Sequence, residues 1–574
     1  MPDYKLEHNE KTIIFMLLCE PIAHVDSRES GNPDRHGIPH QVRNDGLSVQ
    51  NVVMSIRFFC CFLFCGCCFL FAVSCSSHNR LQGYIYYRLS TNPTTLDPAL
   101  IVDVTGGSLS AKIFNGLVRI GDNLDIKPDI AENWMVSSDG CLYTFTLRRG
   151  VTFSNKRTVK AADFKYSFER ILNPGTRSPN TWVFEKILGA DDFMKGRAAD
   201  VKGIKVLDDH TLRIQLKQAF SPFLSLMTMT AAYVVPREVV ERWGADFSSH
   251  PVGTGPFILK EWLPNRTVRF EKREDYFAAP AKVNGIIYRI IPEDLTAVTE
   301  FEIGNIDVLT IPASEYSRYR NDAKRSHFIS SLQGLNTYYL GFNCSRPPFN
   351  NPNLRKAIFL GIDREKILNT IYEKRGRLAA GPVPDILRKW DEPDHHAFDV
   401  QKAKAFIQQE GFDGITLNFY TTADQEIVDI AEVIQSYIRE LGIQVKIKQL
   451  EWSAYKEAIN QGEPDMFYLG WWADYPDPEN FLFPLFHSSN HGPAGNRTRY
   501  ANAVVDSLIE RAEIALDEKK RWQLYKMAED TIVSDMPWVF LWHKTDFTVR
   551  QPWITNYKIY QIYSMDKGTE ISLW

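Results

Sequence analysis

The densest chemistry in the chain lies in Leu469-Gly-Trp-Trp-Ala-Asp-Tyr-Pro-Asp-Pro-Glu-Asn-Phe481, where aromatic rings alternate with acids and prolines. Aromatic walls around a fixed carboxylate suit a ligand with an ammonium group: the acid pairs with the charge and the rings bury the rest. Asp474, between Trp472 and Tyr475, is the candidate for that acid, whereas Asp477, just before Pro478, reads as a helix-capping acid in a Pro-rich turn. Other constellations carry less. Gly253-Thr-Gly-Pro-Phe257 lacks the G-K-[ST] ending of a P-loop, and Pro256 removes an amide that would cradle phosphate. Ser453-Ala-Tyr-Lys456 matches S-x-x-K, but Lys544-Thr-Asp546 is not K-T-G and no S-D-N stands between, so a penicillin-binding enzyme is disfavoured. Asp394-His395-His396 and His487-Ser-Ser-Asn-His491 offer imidazoles that suit transition metals. Both lie in Pro-containing loops with no fixed ligand count and read as surface histidines. No catalytic set, metal site or cofactor is expected.

The elements that must position Asp474 belong to a long chain. Its 574 residues exceed one compact core and allow two to four domains. With 44% hydrophobic and 24% charged residues the composition is globular, and a mean hydropathy of -0.27 excludes a polytopic membrane protein. A net charge of -4 argues against a nucleic-acid binder, which needs a basic face.

Up to about residue 330 short β-like runs dominate: Tyr143–Leu147 and Thr211–Leu216, which alternate as half-buried strands do, then Val268–Glu271 and Gly285–Ile291, with Ala161–Ile171 a helix candidate. After Tyr338, helices and strands alternate. Helical patterns cover Asn353–Leu360, Arg364–Tyr372, Val400–Gln409, Glu426–Leu441, Asp506–Leu516 and Lys519–Ile532; strands are expected at Thr416–Tyr420 and Ile443–Leu450. The order β-α-β around Glu426–Leu441, stopped by Gly442, predicts a crossover helix on a sheet. The expected fold class is therefore α+β in front and α/β behind, with ligand at the junction of lobes.

The cysteines mark a targeting segment rather than a disulfide framework. Cys60, Cys61, Cys65, Cys67, Cys68 and Cys75 fall in one apolar run, from Phe58 to Ser74 without a charge, preceded by Arg57 and followed by Ser76. A charge, an apolar stretch and small residues at its end are the parts of a secretory signal. A spanning helix is the competing reading, though about 20 residues are needed to cross a bilayer. The ending Ala72-Val73-Ser74-Cys75 resembles a bacterial lipobox, with Ala72 in place of the usual Leu; the resemblance implies lipidation and a mature N-terminus at Cys75. Residues 1–53 then read as a spurious or disordered extension, and 54–74 as the signal.

Along 75–574 the chain resembles the oligopeptide/dipeptide branch of the extracellular solute-binding family 5, the lipid-anchored binding components of ATP-binding-cassette importers. The resemblance rests on motifs in order: Thr95-Leu-Asp-Pro98, Phe114-Asn-Gly-Leu117, Pro128-Asp-Ile-Ala-Glu-Asn-Trp134 with Val159-Lys-Ala-Ala-Asp-Phe164, Pro251-Val-Gly-Thr-Gly-Pro-Phe257, Phe349-Asn-Asn-Pro-Asn-Leu-Arg-Lys-Ala357 and Gly470-Trp-Trp-Ala-Asp474. It implies a two-lobed periplasmic-binding-protein fold of three segments with a two-strand hinge: lobe I at about 75–115, 240–335 and 545–574 with a subdomain at about 116–239, and lobe II at about 336–544. It implies a non-catalytic monomer, periplasmic or at the cell surface, that passes peptide to a permease in the cytoplasmic membrane. Asp474 would take the peptide's α-ammonium, backbone around Val104 and Gly470 would pair with the extended peptide as an added strand, and Trp452 and Trp472 would line side-chain pockets. Oligopeptide binders of the family meet the carboxylate with an Arg just before Gly-Trp, where this chain has Tyr468; dipeptide binders use an Arg after the strand equivalent to Thr416–Tyr420, where this chain has Thr421-Thr-Ala-Asp-Gln425. Other cargoes of the family, murein peptide or a metal chelate, therefore stay open, as does a surface lipoprotein that holds cell-wall peptide without transport.

Overall fold

The computed structural model describes residues 80–393 and 397–574. The extension 1–53, the signal 54–74, Cys75 and the Asp394–His396 loop lie outside the described residues. Cys141 and Cys344 are both free thiols, and no described helix is long and apolar enough to cross a membrane.

The alternation in the front half becomes a four-stranded antiparallel sheet in the order Ala131–Val136, Leu142–Leu147, Thr211–Gln215, Ile204–Asp208. Tyr143, Phe145 and Leu147 turn inward while their neighbours stay half-exposed. Helix Ala161–Leu172 covers this face with Phe164, Phe168 and Ile171, closing a core of its own. Behind it, Thr416–Thr422, helix Gln425–Glu440 and Gln444–Leu450 make the expected parallel β-α-β unit. Asp424 caps that helix by accepting from the Ile427 amide at 3.2 Å, and Gly442, at φ +88°, supplies the left-handed turn that ends it.

Among the described residues a twelve-stranded sheet runs through both lobes. Its path is Gln444–Leu450, Thr416–Thr422, Met466–Trp472, Asn336–Phe342, Trp538–Arg550, Val308–Thr310, Tyr84–Leu89, Gly285–Ile290, Thr267–Lys272, Phe257–Leu263. The 13-residue strand Trp538–Arg550 serves both lobes: its first part pairs with Asn336–Phe342 in the rear and its last part with Ile329–Gln333 and Val308–Thr310 in front. The chain thus crosses at Gly334–Leu335 and again at His543–Lys544, a two-strand hinge. Asn336, fully buried, clasps the crossing: its Oδ1 accepts from the Lys544 amide at 2.6 Å, its Nδ2 donates to the Lys544 carbonyl at 3.2 Å, and its own carbonyl meets His543 Nδ1 at 2.7 Å. Burial pushes the His543 imidazole down to about 4, so this ring stays uncharged at neutral pH.

Two local readings shift. The helix expected at Asp506–Leu516 spans Ala503–Glu513. Asn502 caps it, accepting from the Val504 amide at 2.9 Å. At its far end the carbonyls of Glu513 and Ala515 accept from Ser221, backbone amide at 2.6 Å and hydroxyl at 2.5 Å, so the chain unwinds before Leu516. The Gly253-Thr-Gly255 loop is a close-approach device: a Cβ on Gly253 would stand 2.1 Å from the Ile113 carbonyl oxygen, and one on Gly255 2.4 Å from that of Lys112. It seats the loop against the end of helix Val104–Ile113.

The rear core gathers on Trp538, buried with its ring stacked on Tyr339 at 3.4 Å between centroids and Phe486 4.6 Å away. Trp538→Ala is expected to cost about 3–5 kcal/mol, the usual range for emptying a large aromatic site. Urea unfolding followed by fluorescence measures it; a cost below about 1 kcal/mol would mean that neighbours refill the space.

Candidate ligand-binding cleft

A cavity of about 700 Å³ lies where the cores meet, lined in front by Ile101, Val102, Asn180, Trp182 and Lys186 and behind by Trp471, Asp474, Glu479, Asn480, Phe483 and Glu513, with Tyr563 from the C-terminal segment. A second space of about 630 Å³ nearer the hinge holds Arg375, Glu426, Lys544 and Asp546, and there Arg375 is paired with Glu426.

Strand Met466–Trp472 leads into the first cavity. One edge pairs in full with Asn336–Phe342; the other pairs with Thr416–Thr422 only through Met466 and Phe467. From Tyr468 onward the second edge carries no ladder among the described residues, an edge onto which an extended chain can add. Gly470 sits in register opposite Tyr338, and a Cβ there would stand 2.7 Å from that ring. Strand alternation sends Trp471 to the cavity and Trp472 to the opposite face, where its indole donates to the Tyr338 hydroxyl at 3.3 Å and it stays 40% exposed.

Asp474 follows directly. The Ala473 amide donates to the Leu335 carbonyl at 2.8 Å, tying this point to the hinge. The Asp474 amide donates to Asn480 Oδ1 at 2.9 Å, and Asn480 Nδ2 reaches the carboxylate at 3.5 Å. Among the described residues no cation pairs with Asp474. The side chain keeps some solvent contact, but protein crowds the carboxyl, and this desolvation pushes it up to about 6 from an ordinary 3.8, with Asn480 the one opposing influence.

The next residues are structural. Tyr475 inserts into the front core, 6.3 Å from Trp182, and its hydroxyl donates to Glu479. Asp477, buried, accepts both oxygens' worth of bonding from Arg521 Nη2, at 2.7 and 2.6 Å, and takes the Glu479 amide at 2.9 Å. Burial, then the Glu513 charge, pushes Glu479 up to about 8. Burial likewise pushes Glu513 up to about 7, against the pull of Lys186.

Of the residues singled out in the sequence, the structure brings Asp474 to the cavity and places Gly470 on the free edge. Val104 opens helix Val104–Ile113, 65% exposed, next to the Asp103 cap; the cavity is lined by the preceding Ile101 and Val102. Tyr468 is buried, its carbonyl accepting from the Tyr455 hydroxyl. Trp452, 50% exposed, starts helix Trp452–Gln461 and packs 6.1 Å from Tyr455 outside the cavity. His487 bonds Ser489 at 2.7 Å, and His491 bonds the Tyr500 carbonyl at 3.1 Å. Sequence reasoning did not single out Lys186, Glu479, Glu513 or Tyr563 for the cavity. Trp471 was within reach, because the strand's period of two separates it from Gly470 and Trp472.

A carboxyl whose folded value lies above its unfolded value adds nothing below about pH 4 and costs stability as pH rises through 6. The shift from 3.8 to about 6 corresponds to at most about 3 kcal/mol. Asp474→Asn is expected to stabilise the unliganded protein at pH 7.5 by up to that amount, with the gain fading toward pH 4. Urea titrations at the two pH values measure it; an equal or negative effect at pH 7.5 would show that the carboxylate is stabilised by a partner.

The comparisons agree with this geometry. The family model described as bacterial extracellular solute-binding proteins, family 5 Middle, matches residues 125–493. Heme-binding protein A of Haemophilus influenzae is 27% identical over 496 residues, covering 82% of this chain and 89% of that protein. The periplasmic oligopeptide-binding protein OppA of Escherichia coli is 27% identical over 481 residues, covering 81% and 87%. Among solved structures, DppA from Helicobacter pylori in complex with the peptide STSA superposes with a TM-score of 0.72 at 26% identity, over 86% of this chain and 98% of that one. The murein tripeptide binding protein MppA of Escherichia coli does so with a TM-score of 0.72 at 25% identity, over 85% and 98%. The two-lobed, hinge-linked chain belongs to the bacterial extracellular solute-binding proteins of family 5.

Proposed function

We propose that the protein captures oligopeptides outside the cytoplasm and delivers them to an ATP-binding-cassette permease, as a monomer held to the membrane by lipid on Cys75. The observation that carries the peptide reading is a desolvated, cation-free carboxylate, Asp474, one turn of chain beyond a strand edge with no ladder. An extended peptide laid on that edge pairs backbone to backbone near Gly470 and brings its α-ammonium toward Asp474. Its carboxylate turns to the hinge-side space, where Arg375 and Lys544 stand. The names of similar proteins, a peptide complex and oligopeptide binders among them, support the same cargo. In this reading lobe I comprises about 75–115, 240–335 and 545–574 with the subdomain at about 116–239, and lobe II about 336–544; the separate front and rear cores support that division.

Losing one partner of a buried charge pair costs about 3–5 kcal/mol, roughly two to three and a half decades of affinity. Asp474→Asn is expected to fold and to lose that much affinity for tripeptides in calorimetry. N-acetylation of the peptide should weaken wild type far more than the variant. If the variant binds like wild type, or acetylated peptide binds both alike, the ammonium is held elsewhere. Mass spectrometry of co-purifying ligand separates the cargoes: ordinary peptides support the proposal, and diaminopimelate-containing peptide or bound metal replaces it.

Cys75→Ala is expected to leave an unlipidated precursor that no longer partitions with membranes. Unchanged processing and membrane attachment in that variant would remove the lipid anchor from the proposal.

A further inference from the structure

The cleft holds more carboxyl groups than one α-ammonium needs. Glu185, Asp474, Glu479 and Glu513 line the cavity against one ammonium, that of Lys186. Glu513 is the unusual member. It is 5% exposed, and its Oε1 has no hydrogen-bond partner. A buried carboxylate in that condition is costly and resolves either by taking a proton or by meeting a cation. It is also the last residue of the eleven-residue helix Ala503–Glu513, the end at which the backbone dipoles favour positive charge. Glu479, 3% exposed, stands close enough for the Glu513 charge to raise its proton affinity.

Lys186 does not close the site. Its ammonium lies over the rings of Phe220, at 5.2 Å, and Phe483, at 5.7 Å, one from each side of the cleft. It makes no ion pair with Glu513 among the described residues. Glu513 therefore borders a cavity with the Phe220 and Phe483 rings in its wall, and no cation among the described residues lies in ion-pairing range of it.

We propose that Glu513, backed by Glu479, is a second cation subsite of the cleft, which takes the ammonium or guanidinium of a ligand side chain, so that peptides with a basic residue at or next to the amino terminus are preferred. This rests on the peptide reading above and narrows its substrate class. Asp474 holds the main-chain charge; Glu513 sorts side chains.

Calorimetry with defined peptides tests it. Ala-Ala-Ala, Lys-Ala-Ala, Ala-Lys-Ala and the two ε-N-acetyl-lysine analogues are titrated into the wild type, Glu513→Gln and Glu513→Asp. At least one lysine peptide should bind wild type about tenfold or more tighter than its acetylated analogue, a difference of about 1.4 kcal/mol. Glu513→Gln should bring that ratio close to one while Ala-Ala-Ala binds nearly as before; Glu513→Asp, which keeps the charge but withdraws it, should leave a reduced ratio. A wild-type ratio near one with good binding of Ala-Ala-Ala overturns the subsite and leaves the peptide reading standing. A ratio that survives intact in Glu513→Gln also overturns it. Failure of every peptide to bind overturns the peptide reading and this inference with it. If Glu513→Gln does not fold, the wild-type ratio and Glu513→Asp decide.

Discussion

A carboxylate that folding buries at a cleft with no ion-pair partner among the described residues is the constraint around which this structure is arranged. Asp474 has Asn480 at one side and a chain pinned to the hinge at the other, through the Ala473 amide on the Leu335 carbonyl. Desolvation holds its proton affinity well above the ordinary carboxylate range. That arrangement opposes folding at neutral pH and persists because the surrounding lobe over-determines it. Its neighbours supply the rigidity: Tyr475 is sunk in the opposite core, and Asp477 is fixed to Arg521 in a buried pair whose geometry leaves no freedom to the turn between them.

The same turn governs how the lobes meet. Two strands cross between them, clasped by Asn336, whose side chain satisfies both backbone groups of Lys544. A crossing of two strands resists shear but permits rotation, the requirement of hinge closure around a ligand. Across the cleft mouth Ser221 donates to the Glu513 and Ala515 carbonyls, Tyr475 stands against Trp182 and Lys186 lies over Phe483. The helix end that bears Glu513 is also where the front subdomain docks.

Much of the fold was legible because its elements announce themselves locally. The strand Leu142–Leu147 shows its buried face by alternation, and the helix Gln425–Glu440 its face by Ile430, Ile434 and Ile438 and its end by Gly442. The helix Ala503–Glu513 was displaced in the reading because its cap, Asn502, and its stop, the Ser221 bonds, are respectively a single residue and a contact nearly 300 positions away. The site divides the same way. Asp474 was legible from one segment dense in rings and acids. Lys186 and Glu513 were not, because a lone lysine and a lone glutamate acquire meaning only when the fold brings segments far apart in sequence to one cavity. Trp472 and Trp471 are told apart by strand parity, and the parity is set by pairing with Asn336–Phe342.

Tyr468 belongs to the rear core. It is buried, 6.0 Å from the Tyr338 ring and 6.5 Å from that of Trp542, and burial pushes its hydroxyl well above the ordinary tyrosine range. Tyr468 thus sets a buried phenol, not a charge, at this point of the strand. The cations lining the hinge-side space are Arg88, Arg375 and Lys544; Arg88 is engaged by Asp294 and Arg375 by Glu426. Carboxyl groups therefore stand at both spaces: Asp474, Glu479 and Glu513 at the first cavity, and Asp294, Glu373, Asp424, Glu426, Asp429 and Asp546 at the hinge-side space. The strand edge beyond Phe467 differs in kind, because backbone pairing along such an edge is indifferent to side-chain identity.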